Sequence, residues 1–216
     1  MIKILGDKNS IFNQFIAELR DDKIQKDSMR FRRNLERIGE IFAYEISKEL
    51  DYSKESVHTP LGIADVPTIN QQPVLSTVLR AGLPLHQGLL NYFDKAENTF
   101  ISAYRKYDGD GTFHIEFEYI TGPVIDDKIV IISDPMLATG ASMALAYKAM
   151  LKKGNPKHTH IVSIIASNEG INYIKKNLPN KDVTIWVGAV DQELTVKSYI
   201  VPGLGDAGDL AFGNKE

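Results

Sequence analysis

The residues best suited to chemistry stand in one run: Ile129-Val130-Ile131-Ile132-Ser133-Asp134-Pro135-Met136-Leu137-Ala138-Thr139-Gly140-Ala141-Ser142. Its β-branched opening predicts a strand covered on both faces, which would deliver Asp134 to the carboxyl end where α/β folds hold ligands. Ala138–Ser142 then opens a predicted helix. Small residues let a backbone approach a phosphate closely, and the unbonded N–H groups of a helix start, with its dipole, favour a dianion. Thr139 and Ser142 add hydroxyl donors, while Asp134 suits acceptance of hydrogen bonds from sugar hydroxyls beside the phosphate. There is no Gly-Lys-Ser/Thr of a Walker loop, and no Gly-x-Gly-x-x-Gly follows a predicted strand. A plain αβ connection is the alternative reading of the loop taken alone.

Two arginines occupy similar strand ends. Thr77-Val78-Leu79-Arg80-Ala81-Gly82 places a fixed positive charge with five donors before a flexible turn, which is the right chemistry for a pyrophosphate. Tyr104-Arg105 ends the next predicted strand. Either arginine, by itself, also reads as a solvated surface residue. Near the C-terminus, Tyr199-Ile200-Val201-Pro202-Gly203-Leu204-Gly205-Asp206-Ala207-Gly208-Asp209 shows no helix or strand period. Its glycines would suit a flexible tail, but Pro202, Ile200, Val201 and Leu204 tie it down. Main-chain amides and carbonyls there could read a polar ring edge without charged side chains.

The elements that must position these residues follow from the apolar rhythm. Ser10 can cap a helix to about Arg20, and a second begins near Ser28 with Phe31, Leu35, Ile38, Phe42 and Ile46 at helical spacing. Residues 51–72, with Pro60, Gly62 and Pro67, predict a small edge hairpin or loop. From Pro73 apolar runs alternate with helical patterns, which predicts an α/β fold with a mainly parallel sheet flanked by helices. Residues 105–127 interrupt it: Phe113, Ile115, Phe117 and Tyr119 alternate with polar residues after the turn signal Asp108-Gly109-Asp110-Gly111, as in a β-arm or hood. The expectation is one domain over 1–216, with N-terminal helices at 10–50 and a loop-like segment at 191–216.

Composition narrows the chemistry further. There is no cysteine, so disulfides, thiolate metal sites and cysteine nucleophiles are excluded. A net charge of −3 gives no support for a general nucleic-acid surface, so the positive partners of a phosphate must be local. No run of eighteen apolar residues predicts a membrane span, and the N-terminus has no signal-peptide pattern; a cytoplasmic protein is expected. His158 and His160 would share one face, but no further ligand accompanies them, so no protein metal site is expected.

The run Asp134-Pro135-Met136-Leu137-Ala138-Thr139-Gly140 closely resembles the phosphoribosyl pyrophosphate motif of type I phosphoribosyltransferases, in the wording of the uracil phosphoribosyltransferase family. Leu79-Arg80-Ala81-Gly82 and Tyr199-Ile200-Val201-Pro202-Gly203-Leu204-Gly205-Asp206-Ala207-Gly208-Asp209, with Phe212-Gly213 after it, resemble that family as well. Ala141 stands where the family usually has glycine. The resemblance implies a type I phosphoribosyltransferase fold that joins uracil to phosphoribosyl pyrophosphate, giving uridine monophosphate and pyrophosphate. It implies that Arg80, Arg105, Asp134 to Ser142 and Asp206 hold the donor. It further implies that Ile200, Gly205, Asp206 and Ala207 line the uracil pocket. Arg80, Arg105 and Asp206 become the candidate stabilisers, with no covalent nucleophile. Mg2+ would be carried in with the donor, GTP is a possible activator, and a homodimer or higher homo-oligomer is expected. The competing class is a non-catalytic regulator that senses nucleotides and binds RNA on the same fold; it would call for a basic face.

Overall fold

The computed structural model describes residues 1–107, 113–179 and 181–214, leaving out the side chains of 103–107 and 113–118. The chain starts with β1 (Ile2–Ile4), then α1 (Ile11–Arg20) and α2 (Ser28–Ser47). Ser10 caps α1 by accepting from the Phe12 amide, and Asp27 caps α2 by accepting from that of Arg30. Phe31, Leu35, Ile38, Phe42 and Ile46 are all buried, as their spacing predicts. Full burial of each such side chain contributes about 1.5–3 kcal/mol before chain entropy is counted.

Next come β2 (Tyr52–Thr59) and β3 (Gly62–Ile69), an antiparallel hairpin that forms its own two-stranded sheet. It is a hairpin, as expected, but among the described residues it pairs with no edge of the main sheet. The main sheet takes β4 (Val74–Leu79), β5 (Asn98–Tyr107), β7 (Ile129–Ser133), β9 (His158–Ser167) and β10 (Val183–Asp191), with β6 (Phe113–Thr121) at one edge and β1 at the other. Its order is β1-β10-β9-β7-β4-β5-β6, parallel throughout except for antiparallel β5–β6. The expected arm is therefore a ribbon of the sheet edge, with a register shift between Ser102 and Ala103. The Asp108–Gly111 turn signal lies outside the described residues. Edge strand β1 was not expected; its three residues are too few for a readable period.

The connecting helices are α3 (Leu83–Tyr92), α4 (Ala141–Met150) and α5 (Asn168–Asn177). Side-chain alternation along the buried strands sorts them into two cores. Ile131 and Val162 face α1, α2 and α3, while Val130, Ile132 and Ile161 face α4 and α5. Strands that are apolar on both faces read as continuous β-branched runs because helices cover both sides. A short strand, β8 (Met136–Leu137), also pairs with β9.

The C-terminal segment corrects the expectation of an irregular tail. It holds β11 (Glu193–Leu194) paired antiparallel with β12 (Ile200–Val201), then a six-residue helix α6 (Ala207–Phe212). Gly203, Gly205 and Gly208 thus have Gly-x-Gly-x-x-Gly spacing between a strand and a helix, where none was expected. A strand of two residues and a helix of under two turns carry too little periodicity to be seen in sequence. Among the described residues no helix is long and apolar enough to cross a membrane.

Candidate active site

The loop expected to bind phosphate is built on the end of β7. The Asp134 amide donates to the Val162 carbonyl at 3.1 Å, so the chain stays against β9 one residue beyond the strand. The Pro135 carbonyl accepts from both Ile164 and Ile165, each at 3.0 Å, and β8 then pairs with Ile165 and Ala166. The Ala138 carbonyl accepts from the Ser167 hydroxyl at 2.5 Å, and the same hydroxyl caps α5 by accepting from Gly170 at 2.8 Å. Residues 135–138 form a wall pinned to β9 and α5. Pro135 and Leu137 are buried, and Met136 and Ala138 pack on the core, so this wall offers a ligand main chain more than side chains.

At the wall's end the chain turns into α4. Gly140 is the N-cap with φ +80°, and a Cβ there would lie 2.8 Å from the Gly170 carbonyl oxygen. Glycine is required on both counts. Thr139, Ala141 and Ser142 are half-buried beside it, and the first turn of α4 carries no acidic residue. The helix start thus has the local charge an anion needs.

Asp134 is half-buried. Burial pushes its carboxyl up to about 7, with a long 3.5 Å contact from the Met136 amide opposing only weakly. It is therefore poised to change charge near neutrality.

Arg80 follows β4, the immediate neighbour of β7. Thr77 pairs in register with Ser133, and its hydroxyl donates to the Ser133 carbonyl at 3.1 Å. This contact ties the turn carrying Arg80 to the loop carrying Asp134. The Leu79–Arg80 peptide is cis. Arg80 donates to the Asp209 carboxylate at 3.3 Å and the Gly213 carbonyl at 3.2 Å. Its guanidinium bridges from the sheet end to α6. Arg105 lies on the β5–β6 ribbon with its backbone opposite Ile115; its side chain is outside the described residues.

Ile200 is buried on β12, which packs against β9, and Leu204, Ala207 and Ala211 share the core that Met136 and Ala138 pack on. The loop after β7 and the C-terminal segment therefore meet at one end of the sheet. Gly205, with φ +92°, leads into Asp206, which caps α6 by accepting from the Gly208 and Asp209 amides at 2.9 and 3.0 Å. The Asp206 carboxylate thus has a structural duty that the sequence did not disclose.

Several residues at the site were not foreseen. Asp209 holds Arg80. Arg20, at the end of α1, reaches Asp191 at the end of β10 in a two-point ion pair of 2.8 and 2.9 Å, and donates to the Gly203 carbonyl at 2.9 Å. Arg32 on α2 donates to the Ala211 carbonyl at 2.6 Å. Partners separated by 171 or more positions leave no sequence signal. Among the described residues, no group of three or more His, Asp or Glu gathers to hold a metal; His160 instead accepts from the Trp186 indole at 3.0 Å.

A family model described as uracil phosphoribosyltransferase matches residues 7–214. A uracil phosphoribosyltransferase of Porphyromonas gingivalis (strain W83) is 57% identical over 211 residues, covering 98% of this chain and 97% of its own. One of Pyrococcus furiosus is 40% identical over 203 residues, covering 93% of this chain and 85% of its own. Among solved structures, the AQ2163 protein from Aquifex aeolicus superposes with a TM-score of 0.87 at 31% identity, covering 99% of this chain and 98% of that one. With an anion-ready helix start, an arginine turn and a glycine-rich C-terminal segment meeting at one sheet end, and a match that runs through all three, the chain belongs to the uracil phosphoribosyltransferase family.

Proposed function

We propose that this enzyme transfers the phosphoribosyl group of 5-phospho-α-D-ribose 1-diphosphate to uracil, releasing uridine monophosphate and pyrophosphate. One observation carries the reading: Arg80, from the β4 turn, bridges to Asp209 and Gly213 of the C-terminal segment. The arginine turn and the C-terminal segment thereby share one rim, which supports placing pyrophosphate and base side by side.

The α4 start binds the 5′-phosphate through its N–H groups and the Thr139 and Ser142 hydroxyls. Asp134 accepts from the ribose hydroxyls, and binding a sugar that donates to it favours its charged form. Arg80, joined by Arg105 from the edge ribbon, stabilises the departing pyrophosphate. A ring nitrogen of uracil displaces that group at C1′ through an oxocarbenium-like sugar, so no protein nucleophile is needed. Ile200, Gly205 and Ala207 line the base pocket and Asp206 fixes its floor by capping α6. Mg2+ enters on the donor's oxygens as part of the substrate, because the motif carries a single acidic residue, Asp134, too few for an all-protein cage.

The test is to supply the donor and Mg2+ with uracil, hypoxanthine, adenine or orotate, with and without GTP as candidate activator, and to follow pyrophosphate. Release with uracil alone is expected; release with another base, or none, overturns the reading. The RNA-binding regulator has no support, since the relatives named above are enzymes by name. The homo-oligomer proposal rests on the β2–β3 hairpin, which exposes Tyr52, Val57, Leu61, Ile63 and Val66. Light scattering should give at least twice the chain mass, and a monomer would refute it.

A further inference from the structure

The Arg20–Asp191 pair is placed oddly for a merely stabilising salt bridge. Asp191 is buried at the carboxyl end of β10, and Arg20 is the last residue of α1. Between them they take both main-chain polar groups of one residue in the C-terminal loop, Gly203. The Gly203 amide donates to Asp191 at 2.9 Å, and the Gly203 carbonyl accepts from Arg20 at 2.9 Å. Gly203 itself has φ +57°, and a Cβ there would lie 2.2 Å from the Ile200 carbonyl oxygen. The loop is thus folded tightly on itself, and the ion pair fastens it at Gly203. Burial alone would raise the Asp191 carboxyl, but the Arg20 guanidinium and the Gly203 amide outweigh it and hold it below its ordinary value. Asp191 is thereby held in its charged form, in two-point contact with Arg20.

We propose that Arg20 and Asp191 are positioning residues for the base: their grip on Gly203 sets the main-chain course of Ile200 to Gly205 and hence the geometry in which uracil is read. This inference rests on the proposed base-reading role of that loop. Gly203, with its polar groups spent on the clamp, is then an anchor, and the reading is left to its neighbours on either side. The loop after β7 lies outside the clamp, because it is held by β9 and α5, and Arg80 meets the C-terminal segment beyond the clamped stretch, at Asp209 and Gly213. A defect in the clamp should therefore fall on one substrate.

Asp191→Asn, Arg20→Ala and Arg20→Lys are compared with the unaltered enzyme, varying uracil at saturating donor and donor at saturating uracil. Asp191→Asn and Arg20→Ala should raise KM for uracil about tenfold or more while KM for the donor stays within about twofold. Arg20→Lys, which keeps the charge but not the two-point contact, should fall between. Amide exchange at residues 200–205 should quicken in the same order, with β7 unchanged. An equal loss for both substrates, or an unaltered KM for uracil despite faster exchange, overturns the inference and leaves the clamp a purely structural device. Should Asp191→Asn fail to fold, the Arg20→Lys substrate split decides alone. If the unaltered enzyme shows no uracil-dependent pyrophosphate release, the parent reading has failed and the inference falls with it, a pattern distinct from an absent split.

Discussion

Replacing Asp134 by asparagine should make the protein more stable at alkaline pH and at the same time cripple it as a catalyst. The side chain sits half-buried at the end of β7, where burial raises its carboxyl from 3.8 to about 7. In the unfolded chain it ionises near 3.8, so between roughly pH 4 and 7 the folded state holds a proton that the unfolded state has lost. Stability from this group is fully present below about pH 4 and is lost as pH rises through about 7. The rise, at about 1.4 kcal/mol for each tenfold in proton affinity, amounts to roughly 4 kcal/mol as an upper figure; water reaching a half-buried carboxyl should reduce it to about 2–3 kcal/mol. Asparagine keeps the shape without the charge. Urea unfolding of both proteins at about pH 5 and pH 8 measures the effect as a difference of differences, which cancels other titrating groups. About 1.5 kcal/mol of the effect is already lost by pH 5, so Asp134→Asn should gain stability relative to the unaltered protein by about 1 kcal/mol more at pH 8 than at pH 5. Its kcat/KM for the donor should fall by about a hundredfold through loss of the charged acceptor for the ribose hydroxyls. Equal stability differences at the two pH values would refute the burial argument, and an unchanged kcat/KM would remove Asp134 from the donor site.

Three other perturbations probe the same end of the sheet. Gly140→Ala forces a Cβ to 2.8 Å from the Gly170 carbonyl oxygen in a left-handed conformation, which should cost about 1–3 kcal/mol in stability; donor kcat/KM should drop about tenfold to a hundredfold in steady-state assays. Arg80→Ala should lose about 2–4 kcal/mol of transition-state stabilisation, read from donor kcat/KM, and unchanged kinetics would exclude Arg80 from the site. His160, buried beside His158 and Lys3, is pushed down to about 3, so its contribution is present above 6.5 and lost as pH falls from there towards 3. His160→Gln, which can still accept from Trp186, should therefore shrink the acid-induced fall in the urea midpoint between about pH 7 and pH 4.

The sequence by itself determined the strands of the sheet and the loop after β7, since both are local. A run such as Ile129–Ile132 can only be covered on both faces, so the α/β layering and the delivery of Asp134 to a strand end were legible without coordinates. The helix caps Ser10 and Ser167 are equally local, each accepting from an amide two or three residues on, and Ser10 was readable in advance; that Ser167 also closes on the Ala138 carbonyl was not. Resemblance, more than periodicity, pointed to the C-terminal segment, because β12 and α6 are too short to show a period. Only the tertiary structure decided how that segment is held. Arg20 with Asp191, Arg80 with Asp209 and Arg32 with Ala211 join positions far apart in the chain, and nothing in a residue's own surroundings announces a partner that distant. The charge of Asp134 was likewise set by the fold: a carboxylate in sequence is acidic by default, and burial beside β9 moves it to neutrality.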